Sequence, residues 1–231
     1  MTPTADVVPP CLEEAGAPPW VLARIPPGWR TIVVYRGSSD GSARTAVNRG
    51  ATVVREPRRG LGSACHAGLL AAETEFVCLC DCDASHGPAL LVGLVDRIAT
   101  GDTDLVLERG RPAARGAFPP HTRPGNAASA RMPRRRTGPH LRDLGPHLCD
   151  LGPTRAARRR TLLGLNAEDR RSGCLLETVV PAADAGRRIV EEDMPHRPRR
   201  SKATGIWHAV HDMPAVLSAP AQADQNRAGA R

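Results

Sequence analysis

Aromatic residues are scarce in this chain, with three Trp, one Tyr and two Phe among 231 residues. A core built without them must be aliphatic, and the abundant Ala, Val and Leu suit strands that are buried on both faces of a parallel sheet. The same scarcity argues against a nucleic-acid-binding role, because single-strand binders stack bases on aromatic side chains. Long apolar runs are also missing, and no window reaches the roughly 20 residues that a membrane-spanning helix needs. The opening segment, MTPTADVVPPCLEEAG, has neither the basic start nor the apolar stretch of a secretory signal. A cytoplasmic protein is expected, at most peripheral at the inner face of a membrane. Cysteines number seven, and Cys78, Cys80 and Cys82 alternate along one short apolar run instead of spreading as a disulfide framework. They read as small buried core residues in a reducing compartment, since no fourth ligand adjoins them to complete a metal site.

What the chain has in excess is arginine. The formal net charge is +8, concentrated in Arg131 to Arg136, Arg155 to Arg160 and Arg197 to Lys202. Such clusters attract polyanions, including nucleic acid, anionic lipid headgroups and the diphosphate of a sugar nucleotide. Charge alone does not choose among them, although a basic face is compatible with a place near anionic headgroups.

From Ala5 to Arg111, short β-branched runs alternate with helix-length amphipathic stretches, the pattern of an α/β fold with a mostly parallel central sheet. Strands are predicted at Asp6 to Val8, Thr31 to Tyr35, Ala51 to Val54, Glu75 to Asp81 and Asp104 to Leu107. Helices are predicted at Pro18 to Arg24, Ser39 to Asn48, Gly62 to Ala72 and Gly87 to Thr100, with Gly37 and Gly60 at strand-to-helix turns and Asp40 near a helix start as a cap. Residues 1–111 therefore read as the ligand-binding half. Residues 112–217 read as an acceptor-side half of the same domain, made of loops and helices laid over the sheet, with one more strand at Arg188 to Glu192 and a helix at Ile206 to Leu217. The heptad Leu141 to His147 recurs almost unchanged at Leu148 to Thr154, too short a repeat for a solenoid and best read as a lengthened loop. Residues 218–231 lack any apolar period and read as a disordered tail.

The strongest chemical signal is Cys80-Asp81-Cys82-Asp83-Ala84-Ser85-His86 at the end of an apolar strand. Two carboxylates one residue apart at the carboxyl edge of an open α/β sheet lie where such sheets bind ligands. They suit Mg²⁺ or Mn²⁺, which take one or two protein oxygens and complete their shells with water and substrate phosphates. An Asp-x-Asp pair in isolation is weak, since acidic pairs recur in solvated turns. Here it follows Gly60-Leu-Gly-Ser-Ala-Cys-His-Ala-Gly68 and precedes Gly87-Pro88.

That whole stretch resembles the central part of the dolichyl-phosphate mannose synthase-like members of glycosyltransferase family 2. Val7-Val-Pro-Pro-Cys-Leu-Glu-Glu14 looks like the family's first strand and acidic turn, and Gly37 to Ser42 follows the next strand as it does there. The likeness thins through Asp150 to Arg155 and Gly173 to Glu177, and closes with Glu192 to Pro195 and Arg199-Arg-Ser-Lys202.

The resemblance implies a GT-A-like fold and transfer of a sugar from a GDP- or UDP-sugar to a polyprenyl phosphate or other acceptor. It also implies a site. Pro10, Glu13, Glu14, Tyr35, Asp40, Gly60, Gly62 and Asp81 would hold the nucleotide sugar, Asp81 and Asp83 the metal, and Arg199, Ser201 and Lys202 phosphates. Asp150, with Asp143 its duplicate, or Glu177 would act as base where the acceptor is a hydroxyl. His86 reads as a residue that orients its loop, and His208 and His211 as a solvated helix face.

Two departures stand out. Where the family carries one or two aspartates that accept hydrogen bonds from the base, this chain has Tyr35-Arg36, and Arg36 has no acceptor. The basic segment near Arg199 is shortened and the loop before it lengthened. These changes leave a second reading, a catalytically impaired homologue that keeps only the fold.

Overall fold

A computed structural model describes residues 3–11, 18–35, 41–58, 60–82, 87–113, 154–167 and 174–197. In chain order the elements are β1 (Ala5–Val8), β2 (Pro10–Cys11), α1 (Pro18–Leu22), β3 (Arg30–Tyr35), α2 (Ser42–Asn48), β4 (Thr52–Arg55), α3 (Leu61–Ala71), β5 (Phe76–Leu79), a 3₁₀ turn (Pro88–Leu90), α4 (Leu91–Ala99), β6 (Leu105–Pro112), β7 (Arg155–Arg158), α5 (Arg159–Gly164), α6 (Cys174–Asp184) and β8 (Ile189–His196). The strands form one sheet in the order β4, β3, β1, β5, β7, β6, β8, with β2 continuing the line of β1 past Pro9 and also pairing with β3. The pairs β1/β3, β1/β5, β3/β4 and β6/β8 are parallel, while β7 runs antiparallel to both β5 and β6.

Alternation along the strands sends side chains to two helical layers. Val8, Val34, Leu79, Leu107 and Ala157 pack with residues of α3, α5 and α6 on one face. Val7, Cys78, Val106 and Ala156, one residue away on each strand, pack against Leu91, Leu94, Val95 and Ile98 of α4 on the other. Burial of both faces explains why the β-branched runs are continuous and not alternating. At Gly68 the fit between helix and sheet is too close for a side chain, because a Cβ there would lie 2.2 Å from Cγ1 of Val8.

The amino-terminal side of the sheet is tied by one polar knot. Asp6, fully buried, accepts from Nε and Nη2 of Arg30 at 3.0 Å each and from the backbone amides of Glu73 and Thr74 at 2.6 and 3.0 Å. Burial opposes its ionisation, yet the hydrogen bonds from Arg30 and the two amides outweigh that penalty and hold its pKa below the ordinary value.

Several boundaries and one topological expectation change. The segment expected to begin a helix at Ser39 is helical from Ser42, with Gly41 as its N-cap, and the capping expected of Asp40 lies outside the described residues. The β6 strand continues to Pro112, five residues beyond Leu107. The second half is not merely loops and helices over the sheet, since β7 inserts between β5 and β6. Its sequence, Arg-Ala-Ala-Arg, has no β-branched residue and hid it. Ala156 and Ala157 are fully buried there, where small side chains fit beneath helices on both faces. The expected helix at Ile206 to Leu217, the tail, and the heptad duplication up to its last residue, Thr154, lie outside the described residues.

Candidate functional site

The parallel strands all end at one edge. In one row of the ladder Cys11 pairs with Tyr35 and Tyr35 with Arg55, and beside it Val8 pairs with Leu79, from which the chain continues to Asp81. The amide of Cys80 donates to the carbonyl of Val8 at 3.2 Å and so keeps the acidic turn aligned with β1 as it leaves the sheet. Asp81 is half-buried at this exit. Helix α3 begins on the same edge, because it follows β4 and returns antiparallel to it. Its N-cap is Gly60 at φ 123°, a backbone angle that side chains resist, and Gly62 is buried in the first turn. The amino end of a helix presents unpaired amides and a partial positive charge, which favour an anion.

Of the residues picked from sequence, Pro10, Tyr35, Gly60, Gly62 and Asp81 are thereby brought to one edge. Glu177 falls on α6. Glu13, Glu14, Asp40, Asp83, Asp150, Arg199, Ser201 and Lys202 lie outside the described residues, as do His86, His208 and His211. The chain enters β7 at Thr154, four residues after Asp150, and this entry is on the same edge, since Arg155 pairs with Leu79 and Leu107. Beyond that level β6 and β8 continue as a two-stranded extension, Glu108–Pro112 against Glu192–His196. Ion pairs tie it together: Arg109 and Arg111 both meet Asp193, the latter at 2.9 Å.

Three features escaped sequence reasoning. The first is a disulfide between Cys11 and Cys82, with a Cα–Cα distance of 5.6 Å and a sequence separation of 71. Cys78 and Cys80 are buried as expected and lie outside any disulfide, and burial pushes the Cys78 thiol well above its usual range. Cys82 departs from that expectation: it is buried but paired, and it joins the acidic turn to the end of β2. Only the fold brings Cys11 to it.

The second is Arg155, 1% exposed, whose Nη1 donates to the hydroxyl of Thr178 on α6, next to Glu177. Its place in an Arg-rich run made it look like surface charge.

The third is Glu56, 6% exposed at the end of β4. Its amide donates to the carbonyl of Tyr35 at 3.0 Å. Its carboxylate is gripped by Arg58, with Nε on Oε1 and Nη2 on Oε2 at 2.8 Å each and the Arg58 amide on Oε1 at 2.9 Å. The side-chain hydrogen bonds from Arg58 overcome desolvation and, with its backbone amide, its charge and the nearby His66, hold the Glu56 pKa down at about 2. An acidic residue just past a predicted strand, before Pro57, was the available signal.

Among the described residues no group of three or more His, Cys, Asp or Glu is placed to hold a metal ion, and no helix is long and apolar enough to cross a membrane. Asp81 alone of the acidic pair is described, and its oxygens suit a hard cation that takes one or two carboxylates.

Comparison with known proteins agrees with this architecture. An uncharacterized glycosyltransferase of Mycobacterium tuberculosis (strain ATCC 25618 / H37Rv) is 45% identical over 202 residues, covering 86% of this chain and 89% of the relative, and one from Mycobacterium bovis matches equally well. Among solved structures, glucosyl-3-phosphoglycerate synthase from Mycobacterium tuberculosis in complex with phosphoglyceric acid aligns with a TM-score of 0.75 at 24% identity, over 93% of this chain and 79% of that one. The same enzyme with Mn²⁺, UDP-glucose and phosphoglyceric acid aligns with a TM-score of 0.74 at 24% identity, over 93% and 78% of the two chains. That likeness is one of fold, and the fold is GT-A. The sequence model for glycosyl transferase family 2 matches residues 11–164, a span that holds β3 to β5, α3, the acidic turn and β7. The chain belongs to glycosyltransferase family 2.

Proposed function

We propose that the carboxyl edge binds a GDP- or UDP-sugar and that the enzyme passes the sugar to a phosphate-bearing acceptor, such as a polyprenyl phosphate, or to a hydroxyl. The observation that carries this reading is the placement of Asp81 at the exit of the buried strand β5, on the sheet edge where α3 begins at Gly60 and Gly62. Donor recognition falls to Pro10, Glu13, Glu14, Tyr35, Asp40, Gly60, Gly62 and Asp81. The α3 amino terminus favours the diphosphate, and Arg199, Ser201 and Lys202 supply further phosphate contacts. Asp81 and Asp83 would hold Mg²⁺ or Mn²⁺, an all-oxygen pair suited to either ion. When bound, the ion would neutralise charge on the departing nucleoside diphosphate.

The chain's own share of the chemistry is alignment. The acceptor oxygen attacks the anomeric carbon from the side opposite the diphosphate, and a single displacement inverts the configuration. A phosphate acceptor is already ionised near neutral pH and needs no strong base, whereas a hydroxyl acceptor would need Asp150 or Glu177 to take its proton. A phosphate-bearing acceptor also fits the Arg-rich second half, and the solved enzyme of like fold was crystallised with phosphoglyceric acid. Tyr35 and Arg36, standing where the family has aspartates, favour the second reading, a homologue that keeps the fold without the activity.

Isothermal titration with GDP- and UDP-sugars, with and without Mn²⁺, separates the two. Metal-dependent binding that Asp81→Ala abolishes, with a loss of about a thousandfold or more in turnover, is the expected result. A folded protein that binds neither donor under either condition would leave the fold-only homologue as the better account.

A further inference from the structure

The base-reading aspartate that Tyr35-Arg36 displaces has a replacement one strand away. We propose that Glu56 is the carboxylate that reads the nucleobase, and that it selects guanine over uracil, so that the donor is a guanosine diphosphate sugar. This rests on the reading of the carboxyl edge as a nucleotide-sugar site.

Position comes first. Tyr35 pairs with Arg55, and the amide of the next residue, Glu56, donates to the carbonyl of Tyr35 at 3.0 Å. Glu56 therefore stands at the same height on the same edge as the missing aspartate, displaced sideways by one strand, about 5 Å. Neither Tyr35 nor Arg36 can offer a carboxylate, so Glu56 is the acidic group nearest in the ladder to that position among the described residues.

The second argument is the shape of what Glu56 already binds. Arg58 presents two adjacent N–H groups to the two carboxylate oxygens, both at 2.8 Å. Guanine presents the same fork, its N1–H and its 2-amino group, to a carboxylate lying in its plane. Uracil has only N3–H, flanked by two carbonyl oxygens that would face the second carboxylate oxygen repulsively. The carboxylate is buried, with its side chain 7% exposed, while the Arg58 side chain is 60% exposed. This guanidinium is a cover that an incoming base must displace, and its exposure lets it move into solvent and be hydrated there as the base takes its place on the carboxylate. Its charge then lies free on the side where the diphosphate approaches α3.

The test is titration of the intact protein with GDP, IDP and UDP in the presence of Mn²⁺, repeated on Glu56→Gln and Arg58→Ala. Wild type should bind GDP at least tenfold more tightly than UDP, and IDP, which lacks the 2-amino group, about tenfold more weakly than GDP. Glu56→Gln should bring the GDP-to-UDP ratio close to one. Arg58→Ala, which removes only the cover, should keep the wild-type ratio. A ratio is the chosen readout because a merely structural Glu56 would weaken all three nucleotides together. A wild type that prefers UDP, a GDP:IDP ratio near one, or a Glu56→Gln protein with an unchanged ratio overturns the assignment while leaving the glycosyl-transfer reading intact. Failure of folded wild type to bind any of the three removes both. Should Glu56→Gln not fold, the three wild-type affinities and the Arg58→Ala ratio still decide.

Discussion

The two halves of the sheet are held together in different ways. From β1 to β5 every pair is parallel, the buried carboxylate of Asp6 gathers Arg30 and two backbone amides, and the helix α3 meets β1 with no room for a side chain at Gly68. From β7 to β8 the sheet mixes directions, a buried arginine reaches across to α6, and the strand pair that extends past the edge is laced with ion pairs between half-exposed residues. The first half is a frame fixed by buried contacts, and it carries the edge proposed to bind the donor. The second is a scaffold held in larger part by exposed charges, and its distinction from the frame can be tested.

The largest effect should come from cutting the frame's polar knot. Asp6→Ala leaves Arg30 and the amides of Glu73 and Thr74 without their common acceptor. Breaking a buried pair from one side costs about 3–5 kcal/mol, at the lower end here because the Arg30 side chain is 32% exposed. A domain of this length should lose about 2–4 °C of Tm per kcal/mol, readable by calorimetry as a fall near 10 °C. A loss under 2 °C would mean that the frame is not held as described. The same group sets an acid limit. Its folded pKa lies below the ordinary carboxylate value, so its contribution is fully present above about pH 4 and is lost as pH falls through the folded pKa. Asp6→Asn should flatten that acid-side decline in a stability-versus-pH series.

Next in size is Gly68→Ala. The added methyl must push against Cγ1 of Val8 at 2.2 Å, deep between helix and sheet. Overpacking of this kind costs about 1–3 kcal/mol, and denaturant titration should show it with an unchanged slope. An equal cost from Gly93→Ala, where nothing lies within 4 Å of the added carbon, would show instead that helix effects and not packing govern the change.

The same contrast explains what the sequence made legible. Val7-Val8 and Ile32-Val33-Val34 in buried parallel strands, and the half-buried Val53-Val54 on the edge strand β4, are β-branched runs whose local preference agrees with their positions, so those strands were readable within a residue or two. Gly60, at the turn from β4 into α3, was readable because a backbone angle of φ 123° there asks for glycine. β7 was not, because Ala156 and Ala157 fit between two helical layers by being small, and small residues carry no strand signal. Glu56 and the Cys11–Cys82 pair were not either. Their meaning depends on which strand lies beside which, and that is fixed by contacts far apart in the chain.

In the second half, Arg155→Met keeps a long side chain in place but removes the donor to Thr178. The loss should be about 1–2 kcal/mol, and it should be local: hydrogen exchange across Cys174–Asp184 should speed up while the amides of β1 and β3 hold their protection. Equal loosening of both regions would dissolve the distinction between frame and scaffold.

The smallest effect sharpens the comparison most. Asp193, 45% exposed, meets both Arg109 and Arg111 across the β6/β8 extension, and Arg109 also lies 3.7 Å from Glu191. Those arginines hold its pKa below the ordinary value, its hydrogen bond from Arg109 being the larger cause, yet solvent screens such a pair and its net worth is about 0–1 kcal/mol. Asp193→Asn should therefore barely move Tm, and what it does move should vanish in 1 M salt, where the screening length is about 3 Å. The Asp6 knot, buried and hydrogen-bonded to backbone, should keep its effect in the same salt. Salt thus sorts the two halves by the burial of their charges, and a salt-insensitive Asp193→Asn would place the extension with the frame.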